Sequence, residues 1–241
     1  MTAPPAVLVA HQPAYLPWPG YFSRLLDVDE LVVLDHVQFS ERGRQHRNVV
    51  RGAPGSAPLR LTVPVRRSFG QPISQVELAD EPWADRHWRT LVERYAKAPF
   101  WPDHQERLAG IYARPWTHLA PLAEALTHFL LDGFGLKVHL TPSSRLAPSG
   151  ARTDMLINLC LERGATALRT GTGALGYLNQ DQLAHHGIRL EVATYTHPPY
   201  GADRRGWVPG LSALDLLLHE GPNAIHVLRA GARTKTKGTA R

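Results

Sequence analysis

Short runs of β-branched and aliphatic residues alternate along the chain with longer stretches of helical period. The β-type runs fall at residues 7–10, 30–35, 59–65, 138–141, 165–170 and 190–196. Helical spacing of apolar positions fills 83–98, 117–132, 153–163, 175–186 and 212–219, with Thr153 and Ser212 as N-cap residues and Gly164 as a C-terminal stop. Strand and helix in alternation predict an α/β fold: a mixed or mostly parallel sheet flanked by helices. Residues 52–82 are rich in Gly, Pro, Ser and Arg and read as a hairpin excursion, and the Pro-rich stretch PSSRLAPSG near 143–150 marks a break between two lobes. We expect one α/β domain over residues 1–228.

A chain of 241 residues with 43% hydrophobic content is long enough to bury a core without disulfides. The single cysteine, Cys160, lies among apolar neighbours in MLINLCLE and reads as core in a reducing compartment. The apolar run VLVA is too short for a signal peptide or membrane span, so a cytoplasmic protein without a membrane partner is expected. A net charge of +6 invites a nucleic-acid reading, but five of those charges, on Arg229, Arg233, Lys235, Lys237 and Arg241, lie in the last thirteen residues. Residues 229–241 are therefore expected to be a disordered basic tail, and no nucleic acid is expected as the primary partner.

Candidate chemistry concentrates where strands end. In open α/β sheets, ligands bind outside the carboxyl ends of the strands. His11 and Gln12 follow the first run, and Asp35, His36 and Gln38 follow the second. Pro13, Pro17 and Pro19 stiffen a loop that carries Tyr15, Trp18 and Tyr21, as the wall of a binding site requires. Further on, Gly171-Thr172-Gly173-Ala174-Leu175-Gly176 spells GxGxxG between a strand and a helix. Too little β-structure follows for a dinucleotide fold, so this turn is read as an anion site rather than a dinucleotide site. Arg47 and Asn48 suit an anionic substrate group. HPPYGADRRGWVP places His197, Tyr200, Arg204 and Arg205 after the last run as a lid on the same edge. The thirteen histidines form no HExxH or HxH cluster, so no metal site is expected.

The segment HQPAYLPWPGYFSRLLDVDELVVLDHVQFSERGRQHRNVV resembles the N-terminal signature of the WbqC-like protein family. LRLTVPV, ERYAKAPFW, GATALRTGTGALGYL and GLSALDLLLHEGP resemble its later motifs in order, so the likeness runs from about residue 7 to 228. Thr170-Gly171 stands where relatives carry Ser-Gly, and His219-Glu220 replaces an Asn near the last motif. The resemblance implies surface-polysaccharide or small-metabolite biosynthesis and aminoacyl transfer. A looser likeness to HxGH nucleotidyltransferases and pantothenate-synthetase-like ligases implies a Rossmann-like layout, but Trp18 and Tyr21 occupy the places of both histidines.

The reading that follows is an amide-forming acyl or aminoacyl transferase or ligase acting on a small-molecule or sugar-linked substrate. His11 would serve as general base, and Asp35 would orient it or bind the amine. The turn of Thr170, Gly171 and Gly173 would supply hydrogen-bond donors. Gln12, Tyr15, Trp18, Tyr21, Gln38, Arg47, Asn48, Tyr177 and Tyr200 would contact substrate. ATP with magnesium is the cofactor pair that the ligase version would use. The alternatives are a non-catalytic small-molecule or glycan-binding module and a degenerate HxGH-type nucleotidyltransferase.

Overall fold

The computed structural model describes residues 7–53, 55–202 and 206–237. Strand β1 (Val7–His11) runs through the middle of the sheet, with Leu8 and Val9 buried on opposite faces. Burial on both sides is why its sequence is a continuous apolar run rather than an alternating one. A Pro-rich loop leads into the short helix α1 (Pro19–Ser23) and then β2 (Glu30–Val33), which pairs parallel to β1. The chain then leaves the sheet for two small antiparallel pairs, β3 (Arg47–Val50) with β4 (Leu59–Thr62) and β5 (Val65–Arg66) with β6 (Glu77–Leu78). Helices α2 (Trp83–Tyr95), α3 (Trp101–Ala113) and α4 (Leu119–Gly133) follow, and β7 (His139–Pro142) returns parallel to β2. Helix α5 (Arg152–Glu162), β8 (Ala167–Gly171), α6 (Gln180–His185) and β9 (Arg189–Tyr195) wind outward on the other side of β1. Helices α7 (Ala213–Glu220) and α8 (Ala224–Gly231) precede β10 (Ala232–Lys237).

The six-stranded sheet has the order β10-β9-β8-β1-β2-β7, parallel except for β10. The fold is therefore α/β with a mostly parallel sheet. Successive strands run from β1 out to β7, then restart beside β1 at β8, so the winding reverses between β1 and β8. A crevice opens at such a point because the loops leaving the two strands turn to opposite faces. One face of the sheet carries the larger core, with α1 to α4, α7 and α8. The other carries a smaller core built around α5 and α6. The Pro-rich break at 143–150 is the crossover that takes the chain from the first face to the second.

Several expectations need correction. The tail expected to be disordered continues α8 as far as Gly231 and then forms β10, which pairs antiparallel with β9 from Ala232↔Tyr195 to Lys237↔Leu190. Its own residues bury little, but an unpaired edge of β9 satisfies their backbone, and alternating Thr and Lys suit an exposed outer strand. Residues 238–241 lie outside the described residues. The single strand expected at 59–65 splits at Pro64, which lacks an N–H to continue the ladder. The helix expected at 175–186 begins only at Gln180, where Asn179 caps it by accepting from the Gln182 N–H at 3.1 Å. Thr153 lies inside α5 rather than capping it, whereas the Ser212 hydroxyl accepts from the Leu214 N–H at 3.2 Å as expected. No helix among the described residues is long and apolar enough to cross a membrane.

Candidate functional site at the carboxyl edge

A cavity of about 300 Å3 sits where the winding reverses. Its floor is apolar, from Ala10, Leu34 and Ala174, and its polar rim comes from His11 and Gln12 after β1, Arg24 after α1, and Thr170, Gly171 and Gly173 at the end of β8. A Cβ at Gly171 would lie 2.5 Å from the Arg24 Nη2, so the guanidinium rests directly on the strand end and a side chain there would displace it. Burial pushes the Arg24 pKa down. Among the described residues, no hydrogen bond or ion pair reaches its guanidinium. Arg169, two residues before Gly171 on β8, shows the contrast. It is held by Glu191 at 2.9 Å and by the carbonyls of Arg24 and Leu26 at 3.1 and 2.7 Å. A desolvated cation with no protein anion, facing a cavity, is the arrangement an anionic ligand completes.

His11 lies beside that cation. Its Nδ1 is 2.8 Å from the Gln12 carbonyl, which can only accept, so Nδ1 carries the proton and Nε2 keeps a lone pair. Desolvation, and then the Arg24 charge, hold the His11 pKa down at about 4, so the ring is neutral at pH 7. Tyr21 packs edge-on against it at 4.8 Å, and burial pushes the Tyr21 phenol well above its ordinary range. The Gln12 Oε1 accepts from the Gln45 Nε2 at 2.8 Å, which orients the Gln12 amide at the cavity wall.

The structure thus lines one cavity with His11, Gln12, Thr170, Gly171, Gly173 and Tyr177, buries Tyr21 in the larger core behind His11, where it supports the imidazole instead of facing the cavity, and sends the other expected residues elsewhere. Asp35 does not orient His11. Its carboxylate accepts from the Ser143 hydroxyl at 3.0 Å, the Ser144 N–H at 2.7 Å and the Ser144 hydroxyl at 2.6 Å, which ties the 143–145 turn to the end of β2. Tyr15 is fully buried in the larger core, bonded to His87 Nδ1 at 2.8 Å and to the Tyr112 hydroxyl at 2.5 Å. Asn48 is also buried and donates to the Leu16 carbonyl at 2.5 Å, holding the loop where Leu16 takes a φ of 44°. Arg47 donates to the Gly43 carbonyl at 3.2 Å, and Gln38 is exposed, bridged to Pro72. Trp18 stacks on His197 at 5.3 Å, and its ring covers Gly20, where a Cβ would meet it at 2.1 Å. Tyr200 donates to Asp215 at 2.8 Å inside a buried cluster in which Asp215 also accepts from Arg51 Nε and Nη2 at 2.8 and 2.9 Å. Arg204 and Arg205 of the expected lid lie outside the described residues. Arg24 went unrecognised, and its one signal is a lone charge in GYFSRLL, a segment otherwise buried.

Among the described residues, no group of three or more His, Cys, Asp or Glu side chains is placed to hold a metal ion. Fold and cavity together define an α/β protein with a small, cation-lined pocket at the carboxyl edge of its sheet. The model of the WbqC-like protein family matches residues 12–227, and the chain belongs to that family. An uncharacterized protein of Mycobacterium tuberculosis, Rv1507c, is 30% identical over 220 residues, which cover 90% of this chain and 95% of that one. No solved structure matches.

Proposed function

We propose that this WbqC-like protein is an amide-forming acyl or aminoacyl transferase or ligase whose acyl donor carries an anionic group, carboxylate or phosphate, bound by Arg24. The observation that carries the reading is the open, desolvated guanidinium beside a neutral imidazole with a free Nε2. In the proposed step, an acceptor amine attacks the carbonyl carbon of the activated acyl group. The amine proton passes to His11 Nε2, and the leaving group departs with the bonding electron pair. An anion on Arg24 offsets the positive charge that depresses the His11 pKa, so donor binding makes the base stronger when it is needed. Thr170 and the turn that follows line the same cavity and would supply donors to an oxyanion. The strand order supports a ligand at this edge, as in other doubly wound sheets. The family's association with surface-polysaccharide biosynthesis makes sugar-linked amines the acceptors to test first, and we read the chain as a single cytoplasmic α/β domain.

The test is amide formation by purified protein from glycine with ATP and magnesium, and separately from preactivated glycyl donors, with His11→Ala and Arg24→Met as controls. Product formation that falls at least a hundredfold in His11→Ala while the protein stays folded supports the reading. Equal turnover in wild type and both variants contradicts it.

A further inference from the structure

The cavity does not end at His11. Gln12 and Tyr177 line it and also line a shallower groove of about 690 Å3, which continues past Gly176 and Leu178 to Asn179 and Arg152. Tyr177 is 49% exposed, and no aromatic or cationic partner packs on its ring among the described residues. Its backbone is nevertheless pinned on both sides. The Tyr177 N–H donates to the Ala174 carbonyl at 3.1 Å, and the Thr153 hydroxyl lies 3.4 Å from the Tyr177 carbonyl while accepting from the Asn179 N–H at 3.0 Å. A ring held on a fixed backbone at the junction of two cavities is a stacking surface.

The glycines around it point the same way. A Cβ built on Gly173 or Gly176 meets nothing within 4 Å, and neither residue has a positive φ. The fold itself therefore needs glycine at neither place, whereas a ligand lying on this turn would need the space. The chemistry of the walls narrows the ligand. The walls carry two cations, Arg24 and Arg152, beside the Gln12 and Asn179 amides and the Thr170 and Tyr177 hydroxyls, and neither cavity is lined by a carboxylate. Two cations without a carboxylate between them suit the charge of a phosphate, and one exposed aromatic face suits a heteroaromatic ring.

We propose that the groove is a second subsite for a planar heteroaromatic ring bearing phosphate, stacked on Tyr177 with its phosphate toward Arg152. This deepens the proposed function, and rests on it, by making the acyl donor a conjugate of nucleotide type. The same chemistry arises from an adenylate or from the nucleotide end of a coenzyme A thioester, so AMP and coenzyme A are the two probes.

Binding of AMP, coenzyme A and inorganic phosphate to the full chain is measured calorimetrically for wild type, Tyr177→Ala, Tyr177→Phe, Gly176→Ala, Arg152→Ala and Arg24→Met. We expect at least one nucleotide probe to bind, and the tighter one identifies the source. Its affinity falls about tenfold or more in Tyr177→Ala, stays within about threefold in Tyr177→Phe, and falls at least fivefold in Gly176→Ala. The thermal midpoint of Gly176→Ala is unchanged or raised, because Ala in a compatible conformation restricts the unfolded chain. Arg152→Ala weakens the nucleotide probe severalfold and leaves inorganic phosphate binding unchanged. The subsite is overturned if neither nucleotide binds, or if Tyr177→Ala or Gly176→Ala binds as tightly as wild type. If inorganic phosphate binding is itself indifferent to Arg24→Met, the underlying functional reading fails instead.

Discussion

Acid should unfold this protein through its buried neutral histidines before its carboxylates titrate. His11 and His87 both have pKa values lowered to about 4, His11 by desolvation and then Arg24, His87 by desolvation and then Arg86. In the unfolded chain each titrates near 6.5. Above that pH neither state binds the proton, and the full stability is present. As pH falls below 6.5, the unfolded state takes up protons that the folded state refuses, so stability is lost progressively until the folded pKa is passed. The slope is about 1.4 kcal/mol per pH unit for each histidine, and the loss sums to about 3 kcal/mol for His11 alone by pH 4. Against a stability of about 5–15 kcal/mol for a typical domain, two such residues are enough to make the fold marginal. His36, His46, His104 and His197, also lowered by desolvation, add to the wild-type slope, so urea denaturation between pH 6 and 4.8 should give a slope smaller by about 1.2 kcal/mol per unit in His11→Asn than in wild type. A His11→Asn variant with the wild-type slope would refute the reasoning, because it would mean that His11 binds a proton as readily folded as unfolded.

The buried Arg51–Asp215 pair should show opposite signs for breaking it and replacing it. Asp215→Asn removes the charge facing a guanidinium that is only 11% exposed, and should cost about 3 kcal/mol in chemical denaturation, whereas replacing the pair together with its hydroxyl donor, Arg51→Met with Asp215→Leu and Tyr200→Phe, should recover most of that loss. Asp35→Asn should cost only about 1 kcal/mol and leave turnover within a few-fold of wild type, since the amide keeps Oδ1 for Ser143 and Ser144. Large loss of turnover without loss of stability in that variant would restore Asp35 to the chemistry. Tyr15→Phe should destabilise by about 1–3 kcal/mol by depriving His87 and Tyr112 of a buried partner, with anion binding unchanged in calorimetry.

The parts of this protein that sequence pattern revealed are those whose burial is continuous. Val7 to Ala10 and Leu31 to Val33 are apolar because both faces of the sheet are covered, and His11, Gln12 and the GTGALG turn follow from where β1 and β8 end. What pattern could not reveal depends on partners distant in the chain. The segment ARTKTK is a strand only because β9 offers an edge, and Tyr15 looks like a wall residue until His87 and Tyr112 enclose it. Asp35 stands next to a strand end near His11, but Ser143 and Ser144, more than a hundred residues on, decide which way its carboxylate turns. Arg24 is the converse case. An arginine near a short helix is usually solvated, and only the contact with Gly171 across the sheet edge shows that this one faces a cavity.

The most direct test of the central claim is to follow the His11 ring resonances by NMR while titrating phosphate or acetate at fixed ionic strength, in wild type and in Arg24→Met. The account predicts a saturable shift in wild type with the His11 pKa rising from about 4, and neither the shift nor the rise in Arg24→Met, whose empty-state His11 pKa is already higher. An equal response in both proteins, or none in wild type, would mean that Arg24 does not bind an anion beside His11.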